Sequence, residues 1–477
     1  MDHEFNRREF LKLAGLAGVG LAGAGMLNGC STSGPAGGAS QVLAQARKAH
    51  RQQFNMSGFA APKIETVRIG FIGLGQRGPG AVSRINHLEG VQINGLCDLR
   101  PEKVAAAQKI VQGSHQPTGY SGNADAWKKM VDRDDIDLVY IATPWQLHTP
   151  MAVYAMERGK HVAVEVPAAV TLEECWQLVE TSERTRKHCM MLENCCYDFF
   201  EMLTLNMARQ GFFGEIIHGE GAYIHNLVDL NFSRKGYQDM WRLKENYRNG
   251  SLYPTHGLGP ICQVMNINRG DQMDYLVSVS SNDFTMGATA TALAAQDSFY
   301  QEYAGKNFRG NMNTTTVRTK KGRTIMIQHD VSSPRPYSRI HLVSGTKATA
   351  RKWPGPARIA TSHDNWLPEA EFKALEKQYQ PELISKIGEM AKKIGGHGGM
   401  DFLMDWRLID CLRNGLALDQ DVYDAALWSA IAPLSEWSVA NRSNSIDVPD
   451  FTAGAWKNNK PVDITLRGGG TTKVKAV

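Results

Sequence analysis

The sequence predicts an α/β chain in two parts: a doubly wound parallel sheet, then an α+β domain with an open, mostly antiparallel sheet. Three observations carry this. Between residues 63 and 198, short apolar runs alternate with helical patterns. The first run, Val67-Arg-Ile-Gly-Phe-Ile, leads into Gly73-x-Gly75-x-x-Gly78, and the second ends at Cys97-Asp98. From about residue 199 the runs lengthen, alternate in polarity and are separated by turns. Glycines after one strand, with an acid about 20 residues further on at the end of the next, form the dinucleotide fingerprint of a Rossmann domain. The glycines serve a tight turn, close approach to a pyrophosphate and close helix packing, and Asp98 favours NAD over NADP through the ribose 2′-OH.

The elements follow in order. Residues 67–73 read as the first strand, 78–89 as a helix, and 91–97 as the second strand. Pro101 opens a helix over 101–111, a short helix covers 125–131, and 136–142 is a strand closed by Thr143-Pro144. A helix over 148–158 stops at Gly159, and His161-Val-Ala-Val-Glu165 is a buried strand closed by Val166-Pro167. Thr171-Leu-Glu-Glu174 is a capping box for a long helix, and 189–193 is a strand. Ligands of such a sheet gather at the strands' carboxyl ends, at 73–78, Asp98, 143–148, 165–167 and Asn194.

In the second part a helix over 200–210 precedes strands at 215–223, 275–281, 313–318, 324–330 and 337–344. One face of this sheet is expected to cover the cofactor pocket while helices pack on the other. The stretch 371–393 is helical and interrupted at Pro381, and it ends at Gly395-Gly396-His397-Gly398-Gly399. Helices at 405–416 and 422–439 follow, the latter with a bend or break at Pro433. The expected domains are 63–198 for the dinucleotide and 199–440 for the substrate, with a C-terminal arm over 441–477.

The N-terminal Asn6-Arg7-Arg8-Glu9-Phe10-Leu11-Lys12, followed by an uncharged run to Leu27, resembles a twin-arginine export signal over residues 1–30. Leu27-Asn28-Gly29-Cys30 resembles a lipobox, so Cys30 is either a lipidated membrane anchor or part of a cleaved, unmodified signal. Gly and Ala dilute the run, which argues against a permanent span. A protein holding NAD must load it before leaving the cytoplasm, and the twin-arginine machinery carries folded proteins. Residues 31–62, rich in Ser, Gly, Ala and Gln, read as a tether or loosely packed arm. The expected location is the periplasm or cell envelope.

Beyond Cys30 the cysteines at 97, 175, 189, 195, 196, 262 and 411 show no zinc-knuckle spacing and read as buried thiols. A formal charge of +5 without a dense basic tract excludes nucleic acid as a partner. His329-Asp330 lacks a third ligand, so no metal is expected.

The two-part plan resembles the glucose–fructose oxidoreductase and inositol dehydrogenase family, many of whose members end a central strand in Glu-Lys-Pro with a lysine that assists proton transfer. Here the tripeptide is Glu165-Val166-Pro167, and Leu252 stands where that family often has an aspartate four residues before His256. Gly75-Gln76-Arg77-Gly78, Trp145-Gln146-Leu147-His148, Glu165-Val166-Pro167, Glu193-Asn194 and Tyr253-Pro254-Thr255-His256 together resemble glycoside hydrolase family 109, the NAD-dependent α-N-acetylgalactosaminidase group. The resemblance implies a glycan or glycoside substrate and a tightly held NAD recycled in each turnover. It implies an NAD site at Gln76, Arg77, Asp98, Trp145, Gln146, Leu147, His148, Glu165, Val166, Asn194 and Tyr253, added to Gly73, Gly75 and Gly78. Tyr223, Arg242, Tyr253, Pro254, Thr255, His256 and Tyr337 would line the sugar. His148 reads equally as a helix cap.

By the same resemblance the sugar is oxidised at C3, which acidifies C2, and the C1 leaving group departs by elimination. Water then adds, and the hydride returns. His256 is the catalytic acid/base near the C3 hydroxyl. Tyr337 is either the C2 base or a donor to the enediolate, and as a base it needs a cation such as Arg335 or Arg339. Competing readings are an exported sugar oxidoreductase and a sugar-binding lipoprotein with structural NAD. Dimerisation through the open sheet is expected by analogy with the wider family.

Overall fold

A computed structural model describes residues 36–475. The twin-arginine motif, the lipobox and Cys30 lie outside the described residues.

Six parallel strands form the first sheet: β1 (Val67–Ile72), β2 (Val91–Cys97), β3 (Thr118–Tyr120), β4 (Leu138–Ile141), β5 (His161–Val164) and β6 (Cys189–Met191). Their order is β3-β2-β1-β4-β5-β6, which reverses direction between β1 and β4. That switch point opens a crevice at the carboxyl ends, as the alternation of strands and helices predicts. β1, β4 and β5 are almost wholly apolar and buried because helices cover both faces. β3 is absent from the sequence reading: Thr-Gly-Tyr is short, lies at the sheet edge and is largely exposed, so it carries no apolar signal.

The second sheet has eight strands: β7 (Ile216–Ile224), β8 (Met273–Ser280), β9 (Asn313–Thr319), β10 (Thr324–Asp330), β11 (Leu342–Gly345), β12 (Thr349–Arg351), β13 (Arg358–Ala360) and β14 (Ile446–Asp447). The order is β13-β12-β11-β7-β10-β9-β8-β14, antiparallel except for the parallel pair β7–β10. The strand expected at 337–344 is shortened to β11, because Ile340 and His341 take positive φ values of 58° and 49° that break an extended run.

One expectation about this sheet is corrected. The helix Thr255–Met265 lies on the same face as the site. A Cβ on Gly221 would meet the Gly257 backbone at 2.3 Å and one on Gly219 would meet Ile261, while Tyr223, two residues further on that face, touches His256. The helix Thr255–Met265 packs on this inner face, where Tyr223 near the end of β7 meets His256 and, from β10, His329. The outer face leaves Tyr275 and Val279 exposed.

The helix Val422–Ala440 continues through Pro433, so of the bend or break expected there the break does not occur; it is held at its start by an Asp421–Asp424 capping box and buried along nearly all its length. Pro381 does separate two helices, Glu369–Tyr379 and Glu382–Ile394. Residues 40–61 are not a loose tether. Lys48 pairs with Glu180, His50 with Glu183, and Trp176 donates its indole N–H to the Gln45 carbonyl. The seven cysteines from Cys97 on are buried free thiols. No helix among the described residues is long and apolar enough to cross a membrane.

Candidate active site

The glycine loop follows β1. Gly73 has φ +90°, and a Cβ there would lie 2.5 Å from the Ala142 carbonyl oxygen. Gly78 starts the helix Gly78–Asn86, and its Cβ would fall 2.0 Å from the Gly73 carbonyl oxygen. Both glycines are demanded by packing. Gly75 differs: a Cβ there meets only the tip of Arg100, at 3.9 Å, so its backbone faces open cleft. That is where a pyrophosphate needs close approach, beside the N–H groups of a helix start.

Asp98 is nearly buried. Its Oδ2 accepts the Leu74 N–H at 2.8 Å and its Oδ1 the Arg100 N–H at 3.0 Å, so the carboxylate is aimed and still has lone pairs for ribose hydroxyls. Asp98→Ala should weaken NAD retention about tenfold to a hundredfold, read as cofactor content after gel filtration, since a hydrogen bond to a charged group contributes about 1.5–3 kcal/mol.

A cleft of about 1410 Å³ runs along the strand ends. Gly73, Gly75, Gln76, Arg77, Asp98, Trp145, Leu147, His148, Glu165, Val166 and Tyr253 line it. Three of the expected cofactor residues are not in this lining. Gly78 packs against Gly73, Gln146 is exposed on the turn Trp145–Leu147, and Asn194 is buried and donates to Asp401. His148 is also buried, its ring nitrogens 2.7 Å from the Pro167 carbonyl and 2.8 Å from the Thr143 carbonyl. It fastens the two strand-end loops together, a firmer role than a helix cap.

Arg77 is clamped by Glu165 at 3.0 Å and Asp401 at 3.2 Å. Asp401 also holds His397 at 2.9 Å. Burial alone would raise the Asp401 carboxyl, but the His397 hydrogen bond and the Arg77 and Arg84 charges hold it well below the usual range. The Gly395–Gly399 breaker loop therefore bends His397 back onto the cofactor wall, a contact that its sequence pattern does not announce.

The opposite wall comes from the second part of the chain. Arg234, Lys235, Gly236, Tyr237, Trp241 and Arg242 face the glycine loop across the cleft. The Gln76 side-chain amide donates to the Gly236 carbonyl, and Trp145 meets Trp241 edge-on. Arg242 is caged by Trp145, Tyr237 and Tyr253, each ring 5.2 or 5.3 Å away.

Beyond Arg242 the residues expected to line the sugar converge. Tyr253 stacks on Trp145, Tyr223 lies 4.6 Å from Tyr253, and His256 is edge-on to both tyrosines. Pro254 and Thr255 are buried and start the helix Thr255–Met265, which presents His256 at its first turn.

His256 Nδ1 lies 2.8 Å from Glu193, which is fully buried. Burial raises the Glu193 carboxyl, but the His256 charge and hydrogen bond, with the Cys195 N–H, bring it below its ordinary value. An ionised Glu193 fixes a proton on Nδ1 and leaves Nε2 free, the arrangement a general base needs. The sequence reading uses Glu193 only as a family mark. Its signal is position: it follows β6 at the carboxyl edge. Glu193→Gln should lower kcat by about 10²-fold or more with KM and cofactor content little changed, because the histidine loses its fixed tautomer.

Tyr337 receives a hydrogen bond from Arg339 at 3.1 Å, whereas Arg335 reaches only Gln328 on the surface. Arg339 is itself paired with Asp198 and Glu201. Burial raises the Tyr337 phenol well above its ordinary value and Arg339 offsets this only in part. Of the two roles open to it, Tyr337 suits the proton donor.

Glu193, Cys195 and His256 each bring a donor atom within 4.8 Å of the others. Glu193 and His256 bond each other, and burial holds the Cys195 thiol far above its ordinary value, so this cluster reads as an acid–base pair. Among the described residues the open backbone at Gly75, the aimed Asp98 and the long cleft fit an NAD-sized ligand.

Residues 197–458 match the family described as glycosyl hydrolase 109, C-terminal domain, and residues 67–193 the oxidoreductase family, NAD-binding Rossmann fold. A Bacteroides fragilis protein named alpha-N-acetylgalactosaminidase is 53% identical over 414 residues, covering 85% of this chain and 96% of that protein. One of the same name from Shewanella oneidensis is 45% identical, covering 97% of this chain and 99% of its own. Among solved structures, a Klebsiella pneumoniae NAD-binding oxidoreductase superposes with TM-score 0.61 at 16% identity over 81% of this chain and 100% of that one. A levoglucosan dehydrogenase bound to NADH and levoglucosan gives 0.59 at 17%, over 81% and 100%. These structural likenesses concern the fold.

Proposed function

The chain belongs to glycosyl hydrolase family 109, and on that premise we propose that it removes terminal α-linked N-acetylgalactosamine by transient oxidation at C3. The observation that carries this is a dinucleotide loop lining the cleft and, joined to that lining through the Tyr253 ring, a His256–Glu193 pair whose acid is committed to the histidine. Ordinary glycosidases need two carboxylates around the bond. Here Glu165 and Asp401 are tied to Arg77, Glu193 to His256, and Asp198 and Glu201 to Arg339. The substrate class follows the names of the Bacteroides fragilis and Shewanella oneidensis relatives.

NAD⁺ bound there would supply a hydride acceptor for C3 and return the hydride at the end, so no net oxidation occurs. Arg77 and the glycine loop hold the diphosphate end, and Asp98 the ribose. His256 takes the C3 hydroxyl proton at the nitrogen opposite Glu193 and later restores it. Tyr337 keeps its proton and donates to the oxygen that gains charge when C2 is deprotonated. Tyr223 and Arg242 bind hydroxyl or N-acetyl oxygens, and the Trp145–Tyr253 stack excludes water. Val166, buried at the wall where related dehydrogenases carry a lysine, offers no proton, which favours hydrolysis over net sugar oxidation.

The cofactor is retained between turnovers, a reading supported by the roof over 234–242 and the Gln76–Gly236 link. Export by the twin-arginine machinery follows from Arg7-Arg8, and membrane anchoring from Cys30. Two copies would pair through the open sheet face, by analogy with the wider family.

The test is incubation with p-nitrophenyl α-N-acetylgalactosaminide in deuterated water. Sugar released with deuterium at C2 and no net NADH supports the reading. No release from this or from a panel of α- and β-glycosides removes it in favour of an oxidoreductase or a binding protein.

A further inference from the structure

Tyr223 is the second-last residue of β7, and period-two alternation brings His225, just past the strand end, to the same side of the sheet. The His225 Nδ1 lies 3.1 Å from the Tyr223 hydroxyl, and its ring meets Tyr337 edge-on at 5.2 Å. Tyr223 is also edge-on to His256 at 5.3 Å. Two imidazoles thus flank one phenol. His256 is oriented by Glu193, and His225 by the Tyr223 hydroxyl, with its main chain fixed by the bond from its N–H to the Asp330 carbonyl at 2.9 Å. Among the described residues no group bonds His225 Nε2, and the ring is half-buried, so this nitrogen is free to meet a substrate.

The proposed reaction needs two proton-transfer groups, one at the C3 hydroxyl and one at C2. Tyr337 is poorly suited to the second. Its hydroxyl is bonded by Arg339, whose charge is already balanced by Asp198 and Glu201. We propose that His225 is the acid/base at C2, with Nε2 taking and returning the C2 proton while Tyr223 holds Nδ1. This rests on the reading of the site as an oxidising glycosidase and adds the base which that reading leaves unassigned.

The charge environment agrees. Burial, then Arg242, His256 and His397, lowers the affinity of His225 for a proton, so it rests neutral and able to accept one. Tyr223 and Tyr337 also face it.

In a sugar oxidised at C3, the C2–H bond breaks toward Nε2 and its electron pair forms the C1–C2 double bond. The C1–O bond breaks with its pair on the leaving oxygen, which takes a proton from solvent. Water then adds its oxygen at C1 and its spare proton returns to solvent, while the His225 imidazolium exchanges its proton with solvent and delivers the exchanged one to C2. Atoms and electrons balance, with His225 neutral at both ends.

The experiment uses His225→Gln and His225→Asn with p-nitrophenyl α-N-acetylgalactosaminide in deuterated water. Bound NAD content, reduction of the bound cofactor on mixing, C2 deuterium and nitrophenol release are followed in each. Both variants are expected to hold NAD and to reduce it on mixing, while C2 deuterium and nitrophenol release fall together by about 100-fold or more. C2 exchange at the wild-type rate in either variant overturns the assignment. A wild-type protein that releases sugar without C2 deuterium overturns the oxidative reading as well, so the two failures are distinct.

Discussion

Replacing His256 with Ala lowers turnover by about 10³-fold or more and leaves NAD bound. General acid–base groups contribute about 10²–10⁴ in rate, and His256 is the imidazole held with one nitrogen on a buried carboxylate. It sits in the first turn of Thr255–Met265, presented by helix geometry rather than by a loop. His256 meets the cleft lining through the Tyr253 ring, and the glycine loop, Asp98, Trp145 and Glu165 that would hold the cofactor are left unchanged by its truncation. The checks are steady-state kcat on the nitrophenyl glycoside and the cofactor content of the purified variant. The variant should also fail to reduce its cofactor when substrate is mixed in, which separates it from His225→Gln. Normal turnover in His256→Ala removes this histidine from the mechanism. Removal of its side chain leaves the buried Glu193 without its hydrogen-bond partner, so some loss of stability accompanies the loss of rate.

The first sheet was legible because β1, β2, β4 and β5 are buried apolar runs closed by glycine, proline or an acid, and such runs announce themselves. β3, β12 and β13 were not. Each is three residues long and takes its extended form from its neighbours in the sheet. The helix through Pro433 shows tertiary burial and a strong cap overriding a local breaker. In the site, residues bound to a linear motif were readable: Gly73, Asp98, Trp145 and His256 all belong to one. Glu193 and Asp401 acquire their roles by touching His256 and Arg77, far away in sequence, whereas His225 and Arg339 stand two residues from the tyrosines they meet. Period-two alternation from Tyr223 makes His225 a candidate for the site in the sequence itself. The Arg339 and Asp401 pairings join segments more than a hundred residues apart, and no local pattern encodes them.

Two glycines of one loop, changed to the same residue, should give opposite stability results. In Gly78→Ala the new Cβ would lie 2.0 Å from the Gly73 carbonyl oxygen, a contact that real side chains do not make. Gly73 cannot retreat, because its own position is fixed by φ +90° and by the Ala142 carbonyl oxygen 2.5 Å from where its Cβ would be. The loop must open, and the start of Gly78–Asn86 moves with it. The expected cost is about 3 kcal/mol of stability, the range for backbone clash in a packed interior, and NAD binding is lost with the loop. In Gly75→Ala the methyl group meets only the Arg100 tip at 3.9 Å, so the apoprotein should unfold at the same denaturant concentration as wild type. Its NAD affinity should still fall about 100-fold or more, since the methyl occupies the backbone approach that the diphosphate needs. Urea unfolding of the apoproteins and cofactor titration test the pair together. Equal stability in both variants would show that the loop yields where the close contacts say it cannot. Unchanged NAD affinity in Gly75→Ala would place the diphosphate elsewhere in the cleft.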